Sequence, residues 1–330
     1  MTEPLLIAIP FTLLALVSLL GFVGCTAVLD LDDKTFGEPS PSTPTDYAST
    51  ILQQQGLVAF WRLNEPKPAD PALPNLAVDS TGNGHDGTYV DAMKDPDEFP
   101  CPDIPGESAP ALGTLTQGAK GIVGGDMVDG VKTPCMDVDG GYVSVPFDAA
   151  INPQGGFSIE AWVRVEWSAS DLAAFRMVVD CRNFLLPAGT NPKGFALYAT
   201  PDNHWEVVIG MDAAGSLTAT SASAIKLAPG ADITYLVAMY NDAARMLMLY
   251  VDGQVADMKP LMATDAYVPN DASHLFIGAG APYFQLRTVK GQTDRAPLTP
   301  FRGLIQDVAL YSRPLGLGDV TTHLTKGKGP

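Results

Sequence analysis

The sequence predicts an all-β fold, two antiparallel sheets packed as a sandwich, preceded by one N-terminal hydrophobic helix. Three observations predict it. Roughly ten or more β-rich runs are broken by turns of Gly, Asp and Asn, the spacing of a two-sheet sandwich. The series occurs once, without an internal repeat, so the 330 residues are expected to form one sandwich rather than two. Hydrophobic residues make up 46% of the chain, enough for a sizeable core.

The chain opens with the hydrophobic segment, residues 1–29. No charged residue occurs from Leu5 to Leu29, and as a helix that length crosses a bilayer core of about 30 Å. Pro10 within it is better tolerated in a membrane helix than in an exposed one. Three readings compete. A cleaved secretory signal calls for a basic start, which Met1-Thr2-Glu3-Pro4 lacks. Phe22-Val23-Gly24-Cys25 resembles the lipobox of bacterial lipoproteins, which would make Cys25 the acylated residue; it departs from that pattern in its Phe and its missing basic flank. Cys25 is equally well read as a small apolar residue of an uncleaved helix, spanning a membrane or packed with copies of itself. All three place the sandwich outside the cytoplasm, at a cell surface. Residues 30–46, polar and with prolines at 39, 41 and 44, read as a semi-extended linker. A short helix from Asp46 to Gln55 follows, capped by Thr45 or Asp46.

The sandwich is expected over residues 47–330. In GLVAFWRLNEP (Gly56–Pro66), Leu57, Ala59, Trp61 and Leu63 share one strand face and Val58, Phe60 and Arg62 the other. AVDSTGNGHDGTYV (Ala77–Val90) bends through Gly82, Asn83 and Gly84 and returns to a strand. GGYVSVP (Gly140–Pro146) and GGFSIEAWVRVE (Gly155–Glu166) read as paired strands, with Trp162 inward and Glu160 and Arg164 on a solvated face. HWEVVIGM (His204–Met211), DITYLVAMYN (Asp232–Asn241), MLMLYVDGQVA (Met246–Ala256), LFIGAG (Leu275–Gly280) and FRGLIQDVALYSRPL (Phe301–Leu315) complete the series. In this order, from about Tyr47 to Leu324, the phrases resemble laminin-G-like domains of the concanavalin A type. The resemblance implies a jelly-roll sandwich. It sets function loosely, because that fold carries lectins, adhesion modules, glycan hydrolases and spacers alike.

Residues 91–137 exceed the spacing of such domains and are dense in Pro and Gly, so they read as a long surface loop. Cys101 and Cys135, each next to proline, are the obvious disulfide pair in an oxidising compartment; the bridge would contribute about 3–4 kcal/mol. Cys181 is then a buried thiol, or a bridge partner instead.

The chemistry searched for is mostly missing. Retaining glycan hydrolysis needs two carboxylates about 5–5.5 Å apart, and no E-x-D-x-x-E string occurs. Glu160 and Glu166 come nearest, and six residues separate them. No G-x-S-x-G elbow or phosphate loop is present, and His85, His204, His274 and His323 have no metal-ligand spacing. The net charge of −17, with no basic block, disfavours nucleic acid. The resemblance implies a structural calcium, held by Asp307 in the last long strand with oxygens around Asp79, Asn83 and Gly84; the other reading pairs Asp307 with Arg302 or Arg313. Trp167, Trp205, Tyr283 and Phe284, near strand ends, are candidates for a glycan platform, and core or rim packing is the alternative for each. The expectation is a non-catalytic, membrane-anchored surface domain that binds a glycan or a surface protein. A filament or virion subunit, assembled as a homo-oligomer through the retained helix, is the alternative, and a glycan hydrolase the second.

Overall fold

A computed structural model describes residues 46–91, 114–168, 174–183, 193–212, 215–227, 232–280, 287–289, 292–294 and 299–329. The chain divides into Met1–Thr43 and Pro44–Pro330. The hydrophobic segment, most of the linker, Cys25, Cys101, Tyr283 and Phe284 lie outside the described residues. Among the described residues no helix is long and apolar enough to cross a membrane.

Two eight-stranded antiparallel sheets form the expected sandwich. In order of hydrogen-bonded neighbours, the first contains Gln254–Pro260, Met246–Val251, Thr234–Asn241, Phe157–Val165, Arg302–Tyr311, Cys135–Asp139 and Thr114–Ala119. Leu57–Trp61 joins it by pairing with the second half of Arg302–Tyr311. The second contains Gly215–Thr220, Trp205–Met211, Gly194–Ala199, Arg176–Arg182, Leu275–Ile277, Tyr142–Val145, Gly87–Val90 and Leu76–Ala77.

Strand alternation builds the core. Ala59, Trp61 and Leu63 point between the sheets with Phe157, Ile159, Ala161 and Val163, and meet Val178, Val179, Phe195, Leu197, Val207 and Ile277 from the second sheet. Each large side chain so buried contributes about 1.5–3 kcal/mol. The opposite face of the first sheet is also buried. Phe60, Trp162, Tyr235 and Tyr311 pack there against Tyr47, Ile51 and Val320, from the helices Tyr47–Leu52 and Leu317–Lys328. Trp162 is therefore buried on the side away from the sandwich interior, contrary to the inward orientation expected.

The first helix begins as its sequence suggests: Asp46 is the N-cap, and its carboxylate accepts from the Ser49 N–H at 2.7 Å. The second helix was not foreseen. Its sequence, LGDVTTHLTKGK, is rich in Thr and Gly and has little intrinsic helix propensity. Packing holds it: a Cβ on Gly327 would lie 2.0 Å from Trp162 Cζ2. Gly327→Ala should thus destabilise by about 1–3 kcal/mol through overpacking, although alanine is the better helix former. Urea unfolding checks this, and a more stable variant would contradict the packing.

The 91–137 loop reading fails in its second half. Thr114–Ala119 is a strand, and Met127–Val128 and Val131–Lys132 form a hairpin around Asp129 and Gly130. Both turn residues have positive φ, 51° and 77°, as a two-residue Asp-Gly hairpin requires. The expected disulfide is also corrected. Cys135 is a free thiol, fully buried, and donates to the Lys120 carbonyl at 3.3 Å. Its place in the strand Cys135–Asp139 turns the sulfur into the packed face under the helices, where burial pushes the thiol up to about 12. Cys181 is a free buried thiol as well.

Candidate functional site

The turn that was to share a cation with Asp307 is closed on itself. The Asp79 carboxylate accepts from the N–H groups of Phe60 (3.0 Å), Thr81 (3.0 Å) and His85 (3.2 Å) and from the Thr81 hydroxyl. Asn83 donates to the Val58 carbonyl at 2.8 Å, and Gly84 provides a positive φ on an exposed bend. Trp61 opposes Asp79 on one side and Val308 on the other, so a strand separates this turn from Asp307 by about 10 Å. Among the described residues no three His, Cys, Asp or Glu converge on a metal position.

Asp307 sits where the register of Arg302–Tyr311 slips, with φ of 54°. The side chain is fully buried, and neither carboxylate oxygen accepts a hydrogen bond. Its charged neighbours are Asp126, Arg62 and Glu160, not Arg302 or Arg313. Arg62 donates to Asp126 at 2.5 Å and keeps its Nε 3.9 Å from Asp307. Burial, then the charge of Asp126, raises the Asp307 carboxyl well above the usual carboxylate range, against the pull of Arg62. Beside it Gln306 is saturated: its oxygen accepts from the N–H groups of Ile122 and Val123, and its amide donates to Asp126.

Glu160 is no part of a solvated face. Fully buried on the same side of the sheet, it accepts from the hydroxyls of Tyr47 (3.3 Å), Tyr311 (2.9 Å) and Tyr235, and from His323 Nδ1 at 2.9 Å. Burial opposes the charge on His323, but Glu160 outweighs it and raises the imidazole above its ordinary value. Arg164 pairs instead with exposed Glu166. The two glutamates thus have no common cleft.

Of the aromatic candidates, Trp167 and Trp205 are buried and belong to the core between the sheets. Trp167 donates to Asn203 at 3.0 Å, meets Phe301 edge-on and lies under Arg176. Neither presents a ring to a ligand, because the strand ends that carry them are roofed by packing.

The second sheet has a different outer face. Cross-strand pairing aligns Thr88, Ser144, Phe276, Asp180, Ala196, Val208 and Thr218 in one row. At its centre Arg182 holds Asp180 with two parallel bonds, Nε to Oδ1 at 2.9 Å and Nη2 to Oδ2 at 2.6 Å. Burial works against the guanidinium charge, yet Asp180 holds it above its ordinary value. To one side Tyr142 and His274 flank Phe276, with ring centroids at 5.7 and 6.2 Å, and Ser144 bonds His274 at 2.8 Å. To the other, Glu206 accepts from Tyr198 and from Thr220 (2.5 Å), and Phe175, Met177 and Val208 surround Tyr198. The row is buried from Phe276 through Asp180 and Ala196 to Val208 and open only towards Thr88, where half-buried Tyr142 and exposed His274 stand beside it. Aromatic rings beside a fixed ion pair are the elements of a carbohydrate site: rings take the apolar face of a sugar and charged groups its hydroxyls. The sequence reading missed all of these residues. Register slips between Met177 and Val179, so simple alternation misassigns the faces of that strand.

Residues 137–321, more than half of the chain, match the family model Laminin_G_3, described as the concanavalin A-like lectin/glucanases superfamily. No curated protein sequence matches. Among solved structures, Trypanosoma rangeli sialidase is 18% identical at a TM-score of 0.46, over 83% of this chain and 33% of that one. The binding domain of botulinum neurotoxin serotype C1 is 10% identical at 0.48, covering 82% and 52%. Domain 4 of an extracellular arabinanase from Geobacillus stearothermophilus, solved with arabinotriose, is 16% identical at 0.47, covering 82% and 98%. The chain thus spans about a third of the sialidase and half of the toxin domain. Likenesses of this size assign no function.

Proposed function

The chain belongs to the Laminin_G_3 family of concanavalin A-like domains, and from that premise we propose that it is a non-catalytic module that binds carbohydrate on the outer face of its second sheet. The observation that carries this reading is the Asp180–Arg182 ion pair beside the Tyr142, Phe276 and His274 rings. Display outside the cytoplasm on a membrane-held N-terminal segment is part of the proposal and rests on the uncharged stretch Leu5–Leu29. The separation of buried Glu160 from exposed Glu166 supports binding over hydrolysis. Of the calcium candidates, Asp307 keeps buried, unbonded oxygens while those of Asp79 are engaged, and no cluster of further ligands completes the six to eight oxygens among the described residues.

A broad glycan array probed with the full chain tests this. Binding is expected, and Phe276→Ala or Arg182→Ala should weaken it by about tenfold or more, the effect of losing one buried ring or charged hydrogen bond of about 1.5–3 kcal/mol. No hit with any glycan, with or without calcium, overturns the reading.

A further inference from the structure

The hairpin Met127–Lys132 buries almost nothing. Met127, Val128 and Val131 are 45, 60 and 69% exposed. A two-stranded ribbon is marginal in water by itself, and one whose strands are three-quarters apolar and uncovered is a contact surface. Its surroundings indicate the partner. The net charge of the chain is −17, yet lysines gather at the base of this hairpin. Lys132 is one of its strand residues. Gly121, next to exposed Lys120, would bring a Cβ to 3.3 Å from Lys132 Cβ. The C-terminal helix ends against Gly124 and Gly125, which brings exposed Lys328 and half-buried Lys326 to the same place. Of the acids here, Asp126 is buried on Arg62, half-buried Asp46 is engaged in capping the first helix, and Asp129 forms the exposed turn. Three or four lysines around an apolar tip suit an anionic lipid surface, which takes apolar side chains at the headgroup boundary and attracts the nearby ammonium groups.

The chain path points the same way. The Tyr47 N–H donates to the Gly125 carbonyl at 3.2 Å. The first helix of the sandwich therefore starts two residues from the beginning of the hairpin. We propose that the Met127–Lys132 hairpin rests in the interface of an anionic bilayer, with Met127, Val128 and Val131 among the lipid chains and Lys120, Lys132 and Lys328 at the headgroups. Asp129 at the turn limits the contact to the headgroup boundary and keeps it from going deeper.

The test uses the full chain with Val128→Trp, reconstituted into vesicles of phosphatidylcholine and phosphatidylglycerol. The four native tryptophans are buried, so the added emission reports the hairpin. It should shift to the blue and be quenched when the lipid tails are brominated. Val131→Trp should behave alike, and serves if the first variant misfolds. Val255→Trp, exposed on the edge strand Gln254–Pro260 of the first sheet, to which the hairpin does not belong, should be unaffected. Lys132→Glu with Lys328→Glu should abolish the dependence of quenching on phosphatidylglycerol. Unquenched emission at both hairpin positions overturns the proposal, as do equal quenching at position 255, a blue shift without bromolipid quenching (cover by a second copy) and failure of the chain to associate with vesicles.

Discussion

Asp307→Asn is expected to raise the melting temperature in excess chelator at pH 7. Asp307 is buried without a hydrogen bond, and burial together with Asp126 holds its carboxyl well above the ordinary range. The folded state therefore binds a proton that the unfolded chain has already released. Stability falls as pH rises from the unfolded value near 4 towards the folded value, by up to about 1.4 kcal/mol per unit. The amide has no charge to lose. The variant should match the wild type near pH 4 and be the more stable of the two at pH 7, with a margin that widens as pH rises between them. Equal melts at pH 7, or a less stable variant, would show that Arg62 compensates Asp307 fully. The same samples in excess calcium test the cation: if Asp307 holds it, the wild type gains stability and the order of the two proteins reverses. A wild-type melt that does not move between calcium and chelator removes calcium from the account.

Glu160→Ala should be the most damaging single change on the helix-covered face. It leaves three tyrosine hydroxyls and the raised His323 without their common acceptor, and breaking a buried charge pair from one side costs about 3–5 kcal/mol. The wild-type pH dependence should carry its signature. His323 is raised in the fold, so its contribution is fully present below about 6.5, the unfolded value, and is lost as pH climbs through the folded one. Urea unfolding at several pH values checks both points. Glu166→Gln, exposed just past the end of the same strand, should change stability by less than about 0.5 kcal/mol. Similar losses from the two substitutions would sink the buried-cluster reading.

Regular alternation was legible. Ala59, Trp61 and Leu63 face the core as their spacing demands, but a register slip between Leu57 and Ala59 sends Leu57 to the helix-covered face and Val58 to the core, the reverse of what alternation gave; Asp46 caps the first helix as its type and place suggest. Irregularity was not. The slips at Met177/Val179 and Gln306/Ala309 change which side chains share a face, and nothing in the sequence marks either. Asp180 and Arg182 therefore passed unnoticed as a site. Glu160 and Trp162 were misread because the face they occupy is covered by a helix of poor propensity, which only tertiary packing stabilises. The Asp129-Gly130 turn was a signal present in the sequence and passed over, inside a segment whose Pro and Gly content suggested an unstructured loop.

The strand Arg302–Tyr311 has neighbours drawn from Leu57–Trp61, Cys135–Asp139 and Phe157–Val165. A late strand thus fills the slot between three that precede it. During synthesis those partners must wait, edges bare, until Arg302–Tyr311 has emerged, and the pairing of Leu57 with Tyr311 spans more than two hundred residues. Such long-range closure is slow and leaves unpaired strands prone to sticking.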